Sequence, residues 1–199
     1  MEQYFKYDVR KYFEQYTSFE NKSVLDFGCN HGNFIRFQPH NNYTGIDIDK
    51  NIIDTNQQKM PQYNWQHYDG YNYMYNPTGK ETVEIKDNYD VAVCFSVITH
   101  MTVEEMENTI GLLKSKCDKV LVSYYSNKDE FAYKNICKYR GIKADEWEDI
   151  SNSNYFYLKT KLWWTFYNDE WLEDKFNTKS YTTSFGKNDL RGMQRCLVL

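Results

Sequence analysis

The stretch Ser23-Val24-Leu25-Asp26-Phe27-Gly28-Cys29-Asn30-His31-Gly32-Asn33-Phe34 decides how the chain is read. An apolar run stops in a glycine-bearing turn and restarts as an apolar helical pattern. That is how a strand delivers a nucleotide-like ligand to a helix N-terminus. Gly28 and Gly32 permit a sharp bend and close backbone approach. A second run, Tyr43-Thr44-Gly45-Ile46-Asp47, ends in a carboxylate. It falls near the roughly twenty-residue separation at which a ribose-binding acid follows such a loop. Together the two features suggest an adenosyl ligand, with dehydrogenases and other nucleotide binders still open.

Working outward, 199 residues suit one domain, spanning 1–199, with a core of its own. The formal net charge of −4 repels a phosphate backbone on average and disfavours a nucleic-acid partner. The five cysteines, Cys29, Cys94, Cys117, Cys137 and Cys196, form no CxxC pair and are odd in number. This argues against a zinc site or a disulfide framework and for a reducing compartment. No apolar run approaches the roughly 18 residues of a membrane span, and the N-terminus lacks a signal-peptide apolar core. The expectation is a cytoplasmic protein with no membrane partner.

Residues 1–20 place Tyr4, Phe5, Tyr12, Phe13 and Tyr16 at near-helical intervals, which predicts an amphipathic helix over the ligand cleft. A strand at Val24 to Phe27 is followed by a helix opening at Gly32 and reaching Phe37. The next strand, Tyr43 to Ile48, leads to a helix capped by Asp49 and ended near Pro61. Tyr63 to Tyr68 alternates as a third strand, closed by Asp69 and Gly70. Tyr71 to Lys86 is a tyrosine-rich insertion broken at Asn76-Pro77-Thr78-Gly79.

Tyr89 to Phe95, carrying Val91, Ala92, Val93 and Cys94 in one unbroken apolar run, predicts a central parallel strand. Thr102 and Glu105 make a capping box for a helix running to about Lys116. Lys119 to Tyr124 is another buried strand. Residues 126–157 read as an inserted cap, and Tyr155 to Phe176 shows aromatic residues at helical spacing. Thr178 to Phe185 and Met193 to Leu199 predict a terminal hairpin joined through Gly186, Asn188 and Gly192. The expected class is α/β: a Rossmann-like three-layer sandwich with a seven-stranded, mostly parallel sheet and a C-terminal antiparallel hairpin strand.

In order and spacing, four motifs resemble those of the class I S-adenosylmethionine-dependent methyltransferases. They are Val24 to Gly32, Gly45-Ile46-Asp47-Ile48-Asp49, Asp69-Gly70, and Tyr89 to Met101. The resemblance implies a methyltransferase domain that binds S-adenosyl-L-methionine. On it, Gly28, Cys29, Asn30, His31 and Gly32 hold the methionine end, and Asp26 orients that loop or meets the amino group. Asp47 takes the ribose hydroxyls with Ile48 beside it. Asp69, next to Gly70, faces the adenine amino group, and Ser96 and Val97 line the methionine portion. One departure is Asn30, where the family usually has a third glycine; asparagine tolerates the left-handed backbone better than most residues. A GxxxG loop, rather than GxGxxG, fits a dehydrogenase less well.

Transfer from a sulfonium demands above all that acceptor and methyl carbon be held in line. A base matters only for a protonated acceptor, and His100 beyond the fourth strand is the candidate. Such a histidine also serves as a cofactor contact or a helix cap. The cluster Trp163, Trp164, Phe166, Tyr167 and Trp171 reads either as core or as a cage for a cationic or planar acceptor. Tyr71, Tyr73 and Tyr75 read either as an acceptor wall or as a solvated loop. The Pro-Pro-aromatic motif of DNA amino-methyltransferases is absent, the place being held by Ser96-Val97-Ile98-Thr99. The expected reaction is methylation of an oxygen or nitrogen of a small molecule. RNA or protein acceptors, and a non-catalytic cofactor-binding module, remain as alternatives. Oligomeric state is not legible.

Overall fold

A computed structural model describes residues 8–80, 84–129, 134, 154–158, 164–185 and 194–199. The first four strands are β1 (Val24–Phe27), β2 (Tyr43–Asp47), β3 (Asn64–His67) and β4 (Tyr89–Cys94). They are followed by β5 (Cys117–Ser126), β6 (Tyr155–Leu158), β7 (Trp164–Tyr167), β8 (Lys179–Thr182) and β9 (Arg195–Val198). The helices are α1 (Val9–Phe13), α2 (Lys50–Lys59), α3 (Val103–Lys116) and α4 (Asp169–Phe176), with a 3-10 turn at Ile98–His100.

β3, β2, β1, β4 and β5 lie side by side, all parallel. β9 then pairs antiparallel with β5 through Leu121 to Tyr124, and β8 pairs antiparallel with β9. That run of seven strands, with one reversed, is the sheet expected from sequence. The structure adds two strands to it. The antiparallel hairpin β6–β7 joins the far end of β5, where Tyr125 and Ser126 pair with Phe166 and Tyr167, giving nine strands among the described residues.

Alternation along the strands assigns the two faces. Leu25, Phe27, Ala92, Cys94, Val120 and Val122 share a cluster with Met106, Ile110 and Leu113 of α3 and Leu172 of α4. Val24, Val91, Val93 and Leu121 share another with Tyr12 and Phe13 of α1 and Ile53 of α2. Each fully buried Val, Leu, Ile, Phe or Met among them contributes about 1.5–3 kcal/mol relative to exposure. The helices form where their caps are: Asp49 accepts from the Asn51 and Ile52 amides, and Thr102 and Glu105 close a full capping box.

Three expectations are corrected. The helix expected from Gly32 to Phe37 is a set of turns, with Ile35 and Arg36 N–H both on the Gly32 carbonyl. Pro39 biases the residue before it away from helical angles, and one turn alone does not recover the cost of nucleation. Tyr155 to Phe176 is not one helical stretch; Trp164–Tyr167 is a strand buried at every position, and helix begins only at Asp169. A segment buried on all sides carries no period by which to tell helix from strand. The N-terminal helix, expected over 1–20, ends at Phe13, with turns to Tyr16. Tyr4 and Phe5, most of the 126–157 cap, Trp163 and the hairpin glycines Gly186 and Gly192 with Asn188 lie outside the described residues. Both edges of the cap are strand, since β5 runs through Ser126 and β6 starts at Tyr155.

Candidate cofactor and acceptor site

The site forms at the carboxyl ends of β1, β2 and β4, where open α/β sheets bind ligands. Leaving β1, the chain takes positive φ at three alternate residues: Gly28 (74°), Asn30 (48°) and Gly32 (74°). Gly28 and Cys29 donate their N–H groups to the Ile46 carbonyl at 2.9 and 3.0 Å, tying the loop to β2. Gly28 has a second constraint, since a Cβ there would fall 2.3 Å from a Val97 methyl.

Asn30 is held at its N–H, its carbonyl and its side-chain oxygen. Its N–H donates to Asp47 Oδ2 at 2.9 Å, and its carbonyl accepts from Asn56 Nδ2 at 2.6 Å. Its own Oδ1 accepts from the His31 N–H at 2.8 Å. Asparagine is suited to this because its short side chain bonds locally in the left-handed region. Asp47 takes one backbone amide on each oxygen, Asn30 on Oδ2 and Asp49 on Oδ1 at 2.9 Å. Burial raises its pKa, and the amide bonds from Asp49 and Asn30 oppose that. Each carboxylate oxygen retains acceptor capacity after these bonds, the pair of acceptors that the hydroxyls of a vicinal diol require.

Below the loop, Asp26 is buried and accepts from Tyr43 Oη at 2.7 Å. Burial pushes its carboxyl up to about 7; the Tyr43 bond lowers it and the nearby Asp47 raises it. Burial also pushes the Cys29 thiol well above its ordinary value, so it stays protonated. The His31 imidazole is lowered, by burial first and then by Lys59, which keeps it neutral at pH 7.

At the end of β4, Ser96 adopts φ 60°. Its N–H donates to Ser123 Oγ at 2.7 Å, and its carbonyl accepts from Thr99 Oγ1 at 2.9 Å. Ser123 in turn donates to Gln194 Oε1, and both residues are buried. A strained backbone persists only where its surroundings over-determine it, and this buried polar chain does so. His100 follows, with its N–H on the Val97 carbonyl at 2.9 Å and its ring 4.5 Å from Trp164 and 5.8 Å from Tyr75.

The fold thus brings together Gly28 to Gly32, Asp47 and Val97, with Ser96 and His100 adjoining. Ile48 lies on the rim, its carbonyl 3.1 Å from His67 Nε2. Asp69 and Gly70 open a separate loop. Asp69 takes Asn76 Nδ2 at 3.2 Å and lies 3.6 Å from Lys80 Nζ, and the Asn76 bond holds its carboxyl below the usual range. Asn56, Tyr43 and Ser123 were not legible as site residues. Each reads in sequence as one more polar residue of a helix or strand.

A methyltransferase domain family model matches residues 25–121. Among solved structures, the chain is similar to the glycopeptide N-methyltransferase MtfA complexed with S-adenosyl-L-homocysteine, with TM-score 0.63 at 8% identity over 96% of this chain and 87% of that one. It is also similar to magnesium protoporphyrin IX methyltransferase (ChlM) from Synechocystis PCC 6803 with bound SAH, with TM-score 0.60 at 16% identity over 96% of this chain and 78% of that one. No curated protein matches the sequence. Residues 25–121 thus match a methyltransferase domain, and the chain as a whole has the fold of these two methyltransferase structures.

Proposed function

We propose that the protein methylates an oxygen or nitrogen of a small molecule, in a single domain spanning 1–199. The observation that carries the site assignment is the clamp between Asn30 and Asp47, which fixes a carboxylate beside a glycine loop with acceptor capacity left over. In this reading Asp47 accepts from the ribose hydroxyls, with Ile48 alongside. The backbone from Gly28 to Gly32 follows the methionine end, with Cys29, Asn30 and His31 between the glycines and Asp26 beneath. Ser96 and Val97 border the reacting methyl, and Asp69 and Gly70 border the adenine.

S-adenosylmethionine, held by Asp47 and the backbone from Gly28 to Gly32, would supply an electrophilic sulfonium methyl to the acceptor's lone pair, the electrons of the broken carbon–sulfur bond staying on sulfur. What the chain must do is align the acceptor, exclude water and receive a proton if the acceptor carries one. His100 is the group we assign to that proton. The 1–20 and 126–157 segments are the proposed enclosure. No described helix is long and apolar enough to cross a membrane, and a cytoplasmic location agrees with the scattered cysteines.

The test is transfer of tritiated methyl groups from S-adenosylmethionine into lysate separated into small molecules, RNA and protein. Label in the small-molecule pool is expected. Label confined to RNA or protein would refute the acceptor class, and cofactor binding with no label anywhere would favour a non-catalytic module.

A further inference from the structure

The loop after β3 is fixed by polar groups yet turns aromatic rings to solvent. Tyr71, Tyr73 and Tyr75 are 45%, 53% and 47% exposed. Single exposed aromatics are ordinary, whereas three on one loop mark a contact surface. The frame that carries them is Asn72, itself buried. Its Oδ1 accepts from the Met74 and Tyr75 N–H groups at 3.1 and 2.8 Å, and its Nδ2 donates to the His100 carbonyl at 3.4 Å. Glu105 of α3 accepts from the Tyr73 N–H at 2.6 Å. The loop is thereby anchored to the 3-10 turn that carries His100 and to the helix after it. A loop backbone held in this way is set before any ligand arrives, which lowers the ordering cost of binding.

The rings also continue inward. Tyr75 lies 5.8 Å from His100, His100 4.5 Å from Trp164, and Trp164 5.9 Å from the buried Tyr125, centroid to centroid. A file of four rings therefore runs from the solvent-exposed loop past the candidate base. Tyrosine suits such a surface because it offers a large, stiff, amphipathic face with few rotatable bonds.

We propose that the outer end of this file, where exposed Tyr75 stands beside His100 and the inner rings Trp164 and Tyr125 back them as core, seats the methyl acceptor, and that the acceptor is a planar aromatic molecule with its ring against Tyr75 and its oxygen or nitrogen directed past His100. The inference rests on the methyltransferase reading above and names the acceptor class within it. An aromatic guest gains offset or edge-on ring contacts worth up to roughly tenfold in affinity per pair beyond the area it buries. A saturated guest of equal size gains the area alone.

The test uses calorimetric titration of the protein saturated with S-adenosylhomocysteine, with 2-naphthol and the size-matched decahydro-2-naphthol as probes. The planar alcohol is expected to bind about tenfold more tightly. Tyr75→Leu should abolish that difference, Tyr75→Phe should retain it, and neither should alter the affinity for S-adenosylhomocysteine. Equal binding of the two alcohols, binding of neither, or an unchanged preference in Tyr75→Leu would overturn the proposal. Failure of S-adenosylhomocysteine itself to bind would instead overturn the methyltransferase reading, and this inference with it.

Discussion

Asn30 holds a left-handed backbone where a glycine would adopt it without strain, and the bonds from Asp47 and Asn56 make that conformation a fixed part of the site. Asn30→Gly should therefore bind S-adenosylhomocysteine nearly as the wild type does. Asn30→Ala should lose about 1–2 kcal/mol of stability by denaturant titration, the cost of the left-handed region for an ordinary residue. Asp26 gives a pH signature. Folding raises its carboxyl from 3.8 to about 7, chiefly by burial, so the folded chain holds this proton more tightly than the unfolded one. Its contribution to stability is thus favourable below about pH 4 and is lost as the pH rises towards 7, on the order of a few kcal/mol. Stability curves at pH 4 to 8 should show this decline in the wild type and a weaker one in Asp26→Asn. The sequence made Asp47 and Asn30 legible, because a carboxylate ending an apolar strand and an asparagine among glycines both break a local pattern. It hid Asn56 and Tyr43. A polar residue on an amphipathic helix, or a tyrosine in a strand, looks the same whether it faces water or a buried partner.

Among the elements, β7 is the one whose sequence misleads. Trp164, Thr165, Phe166 and Tyr167 are all buried, so neither a period of two nor one of 3.6 stands out. Its polar atoms still have specific work: Thr165 Oγ1 donates to the Met101 carbonyl at 2.6 Å and Tyr167 Oη to the Ile98 carbonyl at 3.0 Å. These bonds fasten β7 to the segment that carries His100. Thr165→Val should cost about 1–3 kcal/mol by leaving that carbonyl unsatisfied, read as a lower urea midpoint with an unchanged slope. Thr102, by contrast, was legible as a cap from its spacing to Glu105, and Thr102→Ala should cost about 1 kcal/mol in the same measurement. The missing helix after Gly32 teaches the same lesson from the other side. Phe34 and Ile35 are buried as a helical face would be, but the chain between Gly32 and Pro39 is too short to repay a helix nucleus.

For the whole molecule, topology explains why residues so distant in sequence converge. Parallel pairing of β1 with both β2 and β4 puts the ends of all three strands on one edge. The glycine loop begins directly after β1, Asp47 is the last residue of β2, and Ser96 lies two residues beyond β4. The seven strands of that run were legible because they are separate apolar or alternating segments between turn signals. The β6–β7 hairpin at the end of β5 was not, because its pairing is a property of the sheet's free edge. The central claim is that this edge binds the cofactor through Asp47. Calorimetric titration with S-adenosylhomocysteine tests it most directly, comparing the wild type with Asp47→Ala and with circular dichroism as a check on folding. One ligand per chain is predicted for the wild type, with affinity reduced roughly tenfold to a hundredfold in the folded variant, the worth of hydrogen bonds to a charged group. Equal affinity in both, or no binding to the wild type, would contradict the account.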